Sequence, residues 1–152
     1  MIRLATYADI PTIIEIGQNV IDRSKTYNVQ VDPKQAAYMI RRAINDKKMD
    51  VFIAQKADQV VGFLIALKDE YWFAKKYYAT DLAFCVLPEH AEQGVWLLRR
   101  FIRWCKQNSI ENIQLGLSTG LDPQGRTGKL YESHGLTLVG GIYATIKEVI
   151  QP

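Results

Sequence analysis

The sequence predicts a mixed α/β fold (α+β with a mixed sheet), in which helices pack around one sheet. Apolar residues recur at helical spacing in some segments, whereas other segments are short apolar runs typical of strands. Proline, glycine and polar residues separate the two kinds of segment. The predicted order is β-α-α-β-β-β-α-β-α-β, and a chain of 152 residues is expected to form a single domain, residues 1–152.

The first half of the chain begins with a short strand, which is followed by two helices with clear start signals. Asp9 is the predicted N-cap of the first helix, and Pro11 suits its first turn. The second helix starts at Asp32-Pro33 and ends near Asn45. Two apolar strands then flank the turn-like residues 56–59, which predicts a hairpin.

The second half alternates strands and helices. A largely buried strand is predicted at 78–87, and the cleanest helical period follows at about 91–108. A further strand at 112–118 leads through a glycine-rich loop to a short helix at about 126–133. The last predicted strand, 136–146, is interrupted by two adjacent glycines.

Charge and composition argue against several classes of function. The net charge of +3 is mild, and basic residues occur in pairs rather than in a concentrated face, so nucleic-acid binding is not expected. Cys85 and Cys105 lie in apolar runs, and His90 and His134 lack a partner at metal-ligand spacing, so we expect no disulfide and no metal. The chain lacks a signal peptide and an apolar stretch of about 18 residues, which predicts a cytoplasmic protein that does not contact a membrane.

The strand, turn and helix at 78–105 are a candidate anion site. The first amides of a helix have no intrahelical partner and lie at the positive end of its dipole. A turn at that point can hold a phosphate, and Gly94 would let the backbone approach it closely. The alternative is an ordinary connection between a strand and a helix, and spacing alone does not separate the two.

Several stretches of the chain have a recognisable family pattern. They are IRLATYADIPTI at the start, Asp81–Pro88, Ala91–Leu98, and Leu130–Leu136. On these residues nearly the whole chain resembles the GNAT acetyltransferases. A weaker resemblance, in Ser118–Gly120 and Arg126–Gly128, is to members carried by bacteriophages, whose place would be the host cytoplasm. In the pyrophosphate turn Ala91 replaces a basic or amide residue and Trp96 replaces a small one, so the Trp96 ring would either point away into the core or block the site.

The resemblance implies that acetyl-CoA is the cosubstrate. Its pyrophosphate would bind the backbone amides of the turn, and its pantetheine arm would pair with the edge of the strand that precedes the turn. Arg126 would contact the cofactor's phosphate or an acidic acceptor, or would be an ordinary surface arginine. The implied cofactor-binding residues are Phe84, Cys85, Val86, Gln93, Gly94, Val95, Trp96 and Arg126.

The resemblance also implies direct transfer of the acetyl group to an amine. Tyr131 matches the family's tyrosine that protonates the leaving thiolate, and its alternative role is to pack the last helix on the sheet. Asp81 is the first candidate for the general base, because a carboxylate within an apolar strand is rarely there for stability. Its alternative role is a cap or a salt bridge, and Glu111 and Ser118 are weaker candidates. Period two places Ala79, Ala83 and Cys85 on the face of Asp81.

The acceptor is expected to be an amine of a protein or a small molecule. In this family the loop 22–32 and the segment 68–77 usually shape the acceptor site. Tyr27, Tyr71 and Trp72 are therefore candidates for an aromatic wall, although they would also suit the core or a homodimer contact. A second hypothesis is a GNAT-shaped interaction protein that no longer catalyses, which Ala91 and Trp96 favour.

Overall fold

The computed structural model describes residues 1–121 and 125–147. In these ranges five strands form one mixed sheet in the order β1-β2-β3-β4-β5. The strands are β1 (Ile2–Leu4), β2 (Met49–Lys56), β3 (Gln59–Glu70), β4 (Tyr77–Val86) and β5 (Asn112–Gln114). Each adjacent pair among β1 to β4 is antiparallel, and β5 runs parallel to β4.

Helices cover both faces of the sheet. They are α1 (Ile10–Arg23), α2 (Pro33–Asn45), α3 (Gln93–Gln107) and α4 (Arg126–Ser133). The predicted fold class is confirmed, and the predicted helices lie within about two residues of the observed ones. No helix in the described ranges is long and apolar enough to cross a membrane.

Two separate cores lie on the two faces. On one face, α1 and α2 pack on the sheet through Ile10, Ile13, Ile16, Ile40, Ala43, Val51, Ile53, Phe63 and Ile65. On the other face, α3 and α4 pack through Phe52, Ala54, Leu64, Ala66, Ala79, Leu97, Leu98, Phe101 and Tyr131. Because side chains alternate along β2, its even and odd positions serve different cores, which is why this strand reads as a continuous apolar run.

Asp9 has a role different from the predicted one. It precedes α1, but its side chain does not cap that helix. Instead the carboxylate accepts hydrogen bonds from Arg3 Nη1 at 2.8 Å and Nη2 at 3.0 Å, and from the Thr6 amide at 2.7 Å. The guanidinium of Arg3 lowers the pKa of Asp9, and the Thr6 amide lowers it by a smaller amount. A two-oxygen contact with a guanidinium is stronger than a single cap bond, so the chain closes a 3-10 turn at Tyr7–Asp9 before α1 starts.

The predicted final strand is absent from the described part of its range. Residues 136–147 are irregular, and β5 ends at Gln114 rather than at residue 118. The exposed apolar side chains of this segment are Leu138, Val139, Ile142, Tyr143 and Ile146. Four of them occur as two adjacent pairs rather than alternating, so the segment does not form one apolar strand face. Gly140-Gly141 adds to the entropic cost of ordering the segment as a strand.

Candidate active site

The strands β4 and β5, at one edge of the described sheet, stay paired over three residues only. They pair only at Tyr78–Thr80 with Asn112–Gln114 in the described structure, whereas β4 continues to Val86 along β3. The amide of Leu87 donates to Val61 O at 2.9 Å, so the backbone groups of Phe84 and Val86, which alternate with it, point away from β3. The sheet therefore presents an open backbone edge beside Phe84 and Val86.

A β-bulge lies at the start of this open edge. Ile65 pairs with Ala83 and Ala66 pairs with Asp81, which leaves Leu82 as an extra residue on β4. A bulge bends a strand and re-aims the side chains next to it. Asp81 is the residue directly before the extra one.

The Asp81 carboxyl group is largely withdrawn from solvent. Burial raises its pKa, and the backbone amides of Asp81 itself and of Gly116 partly oppose this shift because they favour the charged form. Gly116 follows β5, so the carboxyl group lies in the gap between the diverging strands. A carboxylate with a raised pKa is a better proton acceptor than an ordinary aspartate.

The bulge also corrects the predicted face of β4. Ala79 belongs to the core under α3 and α4, whereas Ala83 and Cys85 pack against the core under α1 and α2. The extra residue Leu82 reverses the alternation, so the predicted grouping on the face of Asp81 is wrong for Ala83 and Cys85, whereas Ala79 keeps it because the register is continuous from Ala79 to Asp81.

Cys85 is close enough to Asp81 for their charges to interact. Burial, followed by the negative charge of Asp81, raises the pKa of Cys85 to about 12, and the positive charge of Arg23 opposes this shift. The side chain is therefore a neutral thiol at physiological pH and a poor nucleophile. Its contribution to this site is apolar surface on the α1 side.

The turn before α3 is compact. The helix begins at Gln93, two residues later than predicted, after a 3-10 turn at Pro88–His90. Gly94 is buried, and its amide donates to Ala91 O at 3.0 Å. A Cβ on Gly94 would lie 3.8 Å from Phe84 Cζ and 3.9 Å from a Val86 methyl group, so this helix end packs directly on the open edge.

Trp96 lies on the outer surface of α3. Its side chain is 51% exposed, and the Arg99 guanidinium stacks 5.1 Å from the ring centroid. Of the two predicted orientations, burial in the core is therefore excluded. The ring projects to solvent from the first turn of the helix, whereas Gly94 faces the sheet.

The remaining predicted catalytic and cofactor-binding residues lie on α4. Tyr131 is 8% exposed and belongs to the same core as Leu97 and Phe101, so it faces the sheet on the α3 side. Arg126 is the first residue of α4 and is exposed. The predicted loop residues 122–124, just before this helix, lie outside the described part of the chain.

The loop after α1 is fastened to the segment after β5. Thr26 Oγ1 donates to Ser118 O at 2.6 Å, the hydroxyl groups of Tyr27 and Ser118 are 2.8 Å apart, and the Lys25 amide donates to Thr119 O at 2.8 Å. We call these contacts the loop brace. It joins the loop after α1 to the segment that lies two residues beyond Gly116, whose amide meets Asp81, and we call the end of the gap at these contacts its mouth.

Two sequence predictions are not brought to this gap. Glu111 precedes β5 and lies 3.4 Å from Lys76, at the end of the sheet opposite the bulge. Tyr71 stacks on Phe73 and Tyr78 with centroids 5.1 Å and 4.8 Å apart.

Trp72 meets the same group through Phe73, with ring centroids 5.4 Å apart. In the described residues no ring contact joins Trp72 or Tyr71 to Tyr27. The predicted aromatic wall is thus divided into two groups.

The comparisons with known proteins agree with this geometry. The model of the acetyltransferase (GNAT) family matches residues 18–136. This chain belongs to the GNAT acetyltransferase family. No curated protein sequence is significantly similar to it.

Solved structures share the GNAT fold at low sequence identity. A ribosomal-protein-alanine N-acetyltransferase from Brucella melitensis superposes with a TM-score of 0.75 at 19% identity, over 89% of this chain and 83% of that one. An aminoglycoside antibiotic 6′-N-acetyltransferase from Acinetobacter haemolyticus superposes with a TM-score of 0.71 at 16% identity, over 98% and 99%. An integron cassette protein from the Cole Harbour Salt Marsh metagenome gives 0.75 at 11%, over 99% and 91%. At these identities the similarity establishes the fold and not the acceptor.

Sequence reasoning missed three residues of this GNAT site. Gly116 faces the Asp81 carboxyl group, Arg23 acts on Cys85, and Lys147 Nζ donates to the carbonyl group of Ile21 at 3.0 Å. Each of them meets a partner far away in the sequence, so no local pattern could have identified it.

Proposed function

We propose that this GNAT chain is a single-domain N-acetyltransferase. It transfers an acetyl group from acetyl-CoA directly to the primary amine of a protein or small molecule. The observation that supports this most strongly is the open edge at Phe84 and Val86 beside the buried carboxyl group of Asp81. The edge supplies backbone hydrogen bonds for a pantetheine arm, and the carboxyl group can accept the proton of an amine.

The residues present suit acetyl-CoA. The amide and carbonyl groups of Phe84 and Val86 point into the gap, where an extended pantetheine arm would pair with them as a further strand does. The gap lacks a β5 partner at these positions in the described structure. A thioester can therefore lie where the next strand would otherwise be.

The pyrophosphate would lie at the start of α3. The Gly94 amide is already bonded to Ala91, and the Trp96 amide belongs to the first intrahelical bond, to the carbonyl group of Glu92, so the donors that remain for the anion are the amides of Gln93 and Val95. These are backbone groups, and the change to Trp96 leaves them in place because its ring projects outward. Ala91 supplies no side-chain donor to the pyrophosphate. We assign that contact to the guanidinium of Arg126 at the start of α4.

The chemistry assigns one proton transfer to each of two side chains. Asp81 accepts a proton from the ammonium, directly or through water, and the neutral amine attacks the thioester carbonyl carbon. The Phe84 amide donates to the oxygen on which negative charge develops. When the C–S bond breaks, Tyr131 gives its phenolic proton to the sulfur, and the attacking nitrogen releases its second proton, through water, to the Tyr131 phenolate. The products are a neutral amide and free CoA, and the proton held by Asp81 passes to solvent.

A second candidate function is a GNAT-fold interaction protein without catalysis. The exposed pair of Trp96 and Arg99 favours it, because large half-exposed aromatic residues beside cations are common in protein interfaces. Ala91 also lacks the side chain that the family uses at the turn. On this hypothesis the gap between β4 and β5 would have no ligand.

Titration of the protein with acetyl-CoA in a calorimeter separates the two functions. The acetyltransferase hypothesis predicts micromolar binding of acetyl-CoA. This binding should be lost in Gly94→Trp, because the new ring would displace Phe84 and Val86 from the helix end. Gly140→Trp is the control, since a side chain there meets open space, and it should bind normally. If the folded wild-type protein does not bind acetyl-CoA at millimolar concentration, the proposed acetyltransferase function is refuted.

A further inference from the structure

Three cationic side chains lie around the C-terminal end of α1, next to the loop brace. The Arg23 guanidinium, at the end of α1, acts on the thiol of Cys85. The side chain of Lys25 lies over Gly120, where an added Cβ would come within 3.1 Å of it. Lys147 Nζ reaches the last turn of α1, 3.0 Å from Ile21 O and 3.5 Å from Asp22 O. We call Arg23, Lys25 and Lys147 the cationic rim.

The cationic rim lies on the side from which an acceptor must approach. Gly94 and the side chains of Phe84 and Val86 lie on the α3 side, which places the cofactor's phosphates there. Ala83 and Cys85 face the α1 side. A cofactor that occupies the α3 side leaves the α1 side open for the amine.

Among the described residues, no carboxylate forms an ion pair with Arg23, Lys25 or Lys147. Arg23 Nε donates to the neutral amide oxygen of Asn19 at 2.9 Å, and Lys147 donates to backbone carbonyl groups. The carboxylate next to Arg23 in sequence, Asp22, accepts a hydrogen bond from Gln18 instead. Within the described part of the chain the three cations are therefore available to an anionic ligand.

We infer that the acceptor of this enzyme is an anionic amine, which carries a carboxylate close to the amino group that is acetylated. The cationic rim would hold the carboxylate while Asp81 receives the proton of the amine. The inference rests on the proposed acetyltransferase function and specifies its substrate class. It excludes polycationic aminoglycosides as good acceptors, although an aminoglycoside acetyltransferase shares the fold. A like-charge juxtaposition at the rim would repel them.

The loop brace makes the cationic rim a structured feature of the site. Lys25 and Tyr27 lie on one short loop, and bonds from both of them and from Thr26 reach the segment 118–119. These bonds join the loop after α1 to the segment after β5 on either side of the gap. The charges of Arg23 and Lys25 are therefore carried by backbone that is hydrogen-bonded at the mouth.

The test compares acceptors that differ only in charge. Initial rates of CoA release are measured with peptides whose free N-terminus is followed by two aspartates, two asparagines or two lysines, and with free glutamate, free glutamine and an aminoglycoside. Exposed ion pairs typically change affinity by up to about fivefold each, so the aspartate peptide should exceed its asparagine match in kcat/KM by about tenfold. The ratio should fall as salt is raised. If kcat/KM for glutamate exceeds that for glutamine by the same factor, the acceptor is a small anionic amino acid. If only the peptides differ in kcat/KM, the acceptor is the N-terminus of an acidic peptide or protein.

Matched variants localise the effect. Arg23→Gln should reduce the preference for aspartate over asparagine several-fold, because it removes a charge and keeps a hydrogen-bonding group. Arg103→Gln, which removes an exposed charge from α3, should leave the preference unchanged. Equal rates for the two peptides, a higher rate for asparagine, lysine or aminoglycoside, or a preference unaffected by Arg23→Gln would each overturn the inference.

Failure of the inference can be told apart from failure of the proposed function. If acetyl-CoA binds but no acceptor is acetylated, the same peptides are titrated into the complex with acetyl-CoA. Tighter binding of the aspartate peptide supports the cationic rim as an anion site, and equal binding overturns it. If acetyl-CoA does not bind, the proposed function is refuted and the inference is refuted with it.

Discussion

Replacement of Asp81 by asparagine should change activity and stability in opposite directions. The asparagine would keep the shape of the side chain and an oxygen that can accept from the Gly116 amide, so the variant removes mainly the charge. A general base typically contributes 10²- to 10⁴-fold to rate. Turnover should therefore fall by about that factor, which corresponds to about 3–5 kcal/mol in the activation free energy.

The same substitution should stabilise the folded protein. Burial raises the pKa of Asp81, which means that the folded state disfavours its charged form. The stability of the wild type falls as pH rises from the ordinary aspartate value of 3.8 through the raised pKa, because the folded state then binds more protons than the unfolded state. The melting temperature of Asp81→Asn should exceed that of the wild type at neutral pH, and a gain of about 1 kcal/mol would appear as about 2–4 °C. The difference should vanish below pH 3.8.

The assay combines thiol release with thermal melting over a range of pH. Asp50→Asn is the matched control: Asp50 lies on β2, two strands away from Asp81, and accepts the Trp104 indole N–H at 2.8 Å, so loss of its charge should not affect turnover. In the wild type, kcat/KM should rise with pH as Asp81 loses its proton. The pH profile of the Asp81→Asn variant should lack this rise. A variant that melts at a lower temperature and retains turnover within about threefold would refute a buried general base at this position.

The other expected effects concern the acid, the thiol and the N-terminal turn. Tyr131→Phe should lower turnover with little change in acetyl-CoA affinity by calorimetry, and unchanged turnover would remove Tyr131 from the acid role. Cys85, with a pKa of about 12, should react with iodoacetamide at pH 8 only when urea unfolds the protein, and rapid labelling of the native chain would contradict its burial. Asp9→Asn should cost about 2 kcal/mol at neutral pH in urea unfolding, because bonds to a charged group are lost. Since the pKa of Asp9 is lowered, this stabilisation is complete above pH 3.8 and is lost as pH falls through the folded pKa, so a cost that persists in strong acid would refute it.

The helices were predictable because their signals are local. Asp32 accepts from the amides of Lys34 and Gln35 at 2.9 and 3.0 Å, as its position before Pro33 predicts. The long helix α3 has the most regular apolar face in the sequence, and its buried residues follow that face. Such features depend on residues within one or two turns, so a single sequence contains all the information needed to find them.

The shape of the site was less predictable because it depends on register and distant partners. Nothing in the run of apolar residues around Leu82 marks it as the extra residue of a bulge, yet the bulge decides on which face Ala83 and Cys85 lie. Tyr27 and Ser118 meet across 91 residues. Asp9 shows that even a short-range signal fails when a stronger partner is near, since Arg3 takes the carboxylate that would otherwise cap α1.

The turn at Ala91–Trp96 shows why a degenerate motif need not mean a degenerate site. The donors that a pyrophosphate needs at a helix start are backbone amides, whose positions depend on the fold and not on the side chains. A substitution at the turn matters in two cases: when its side chain fills the space of the ligand, or when it supplied a contact of its own. Trp96 projects from the outer face of α3 and Gly94 still packs without a Cβ against Phe84, so the first case does not apply to the space between helix and sheet. Ala91 belongs to the second case: on the proposed function, the missing basic or amide side chain should weaken the affinity for acetyl-CoA, while the backbone amides stay in place.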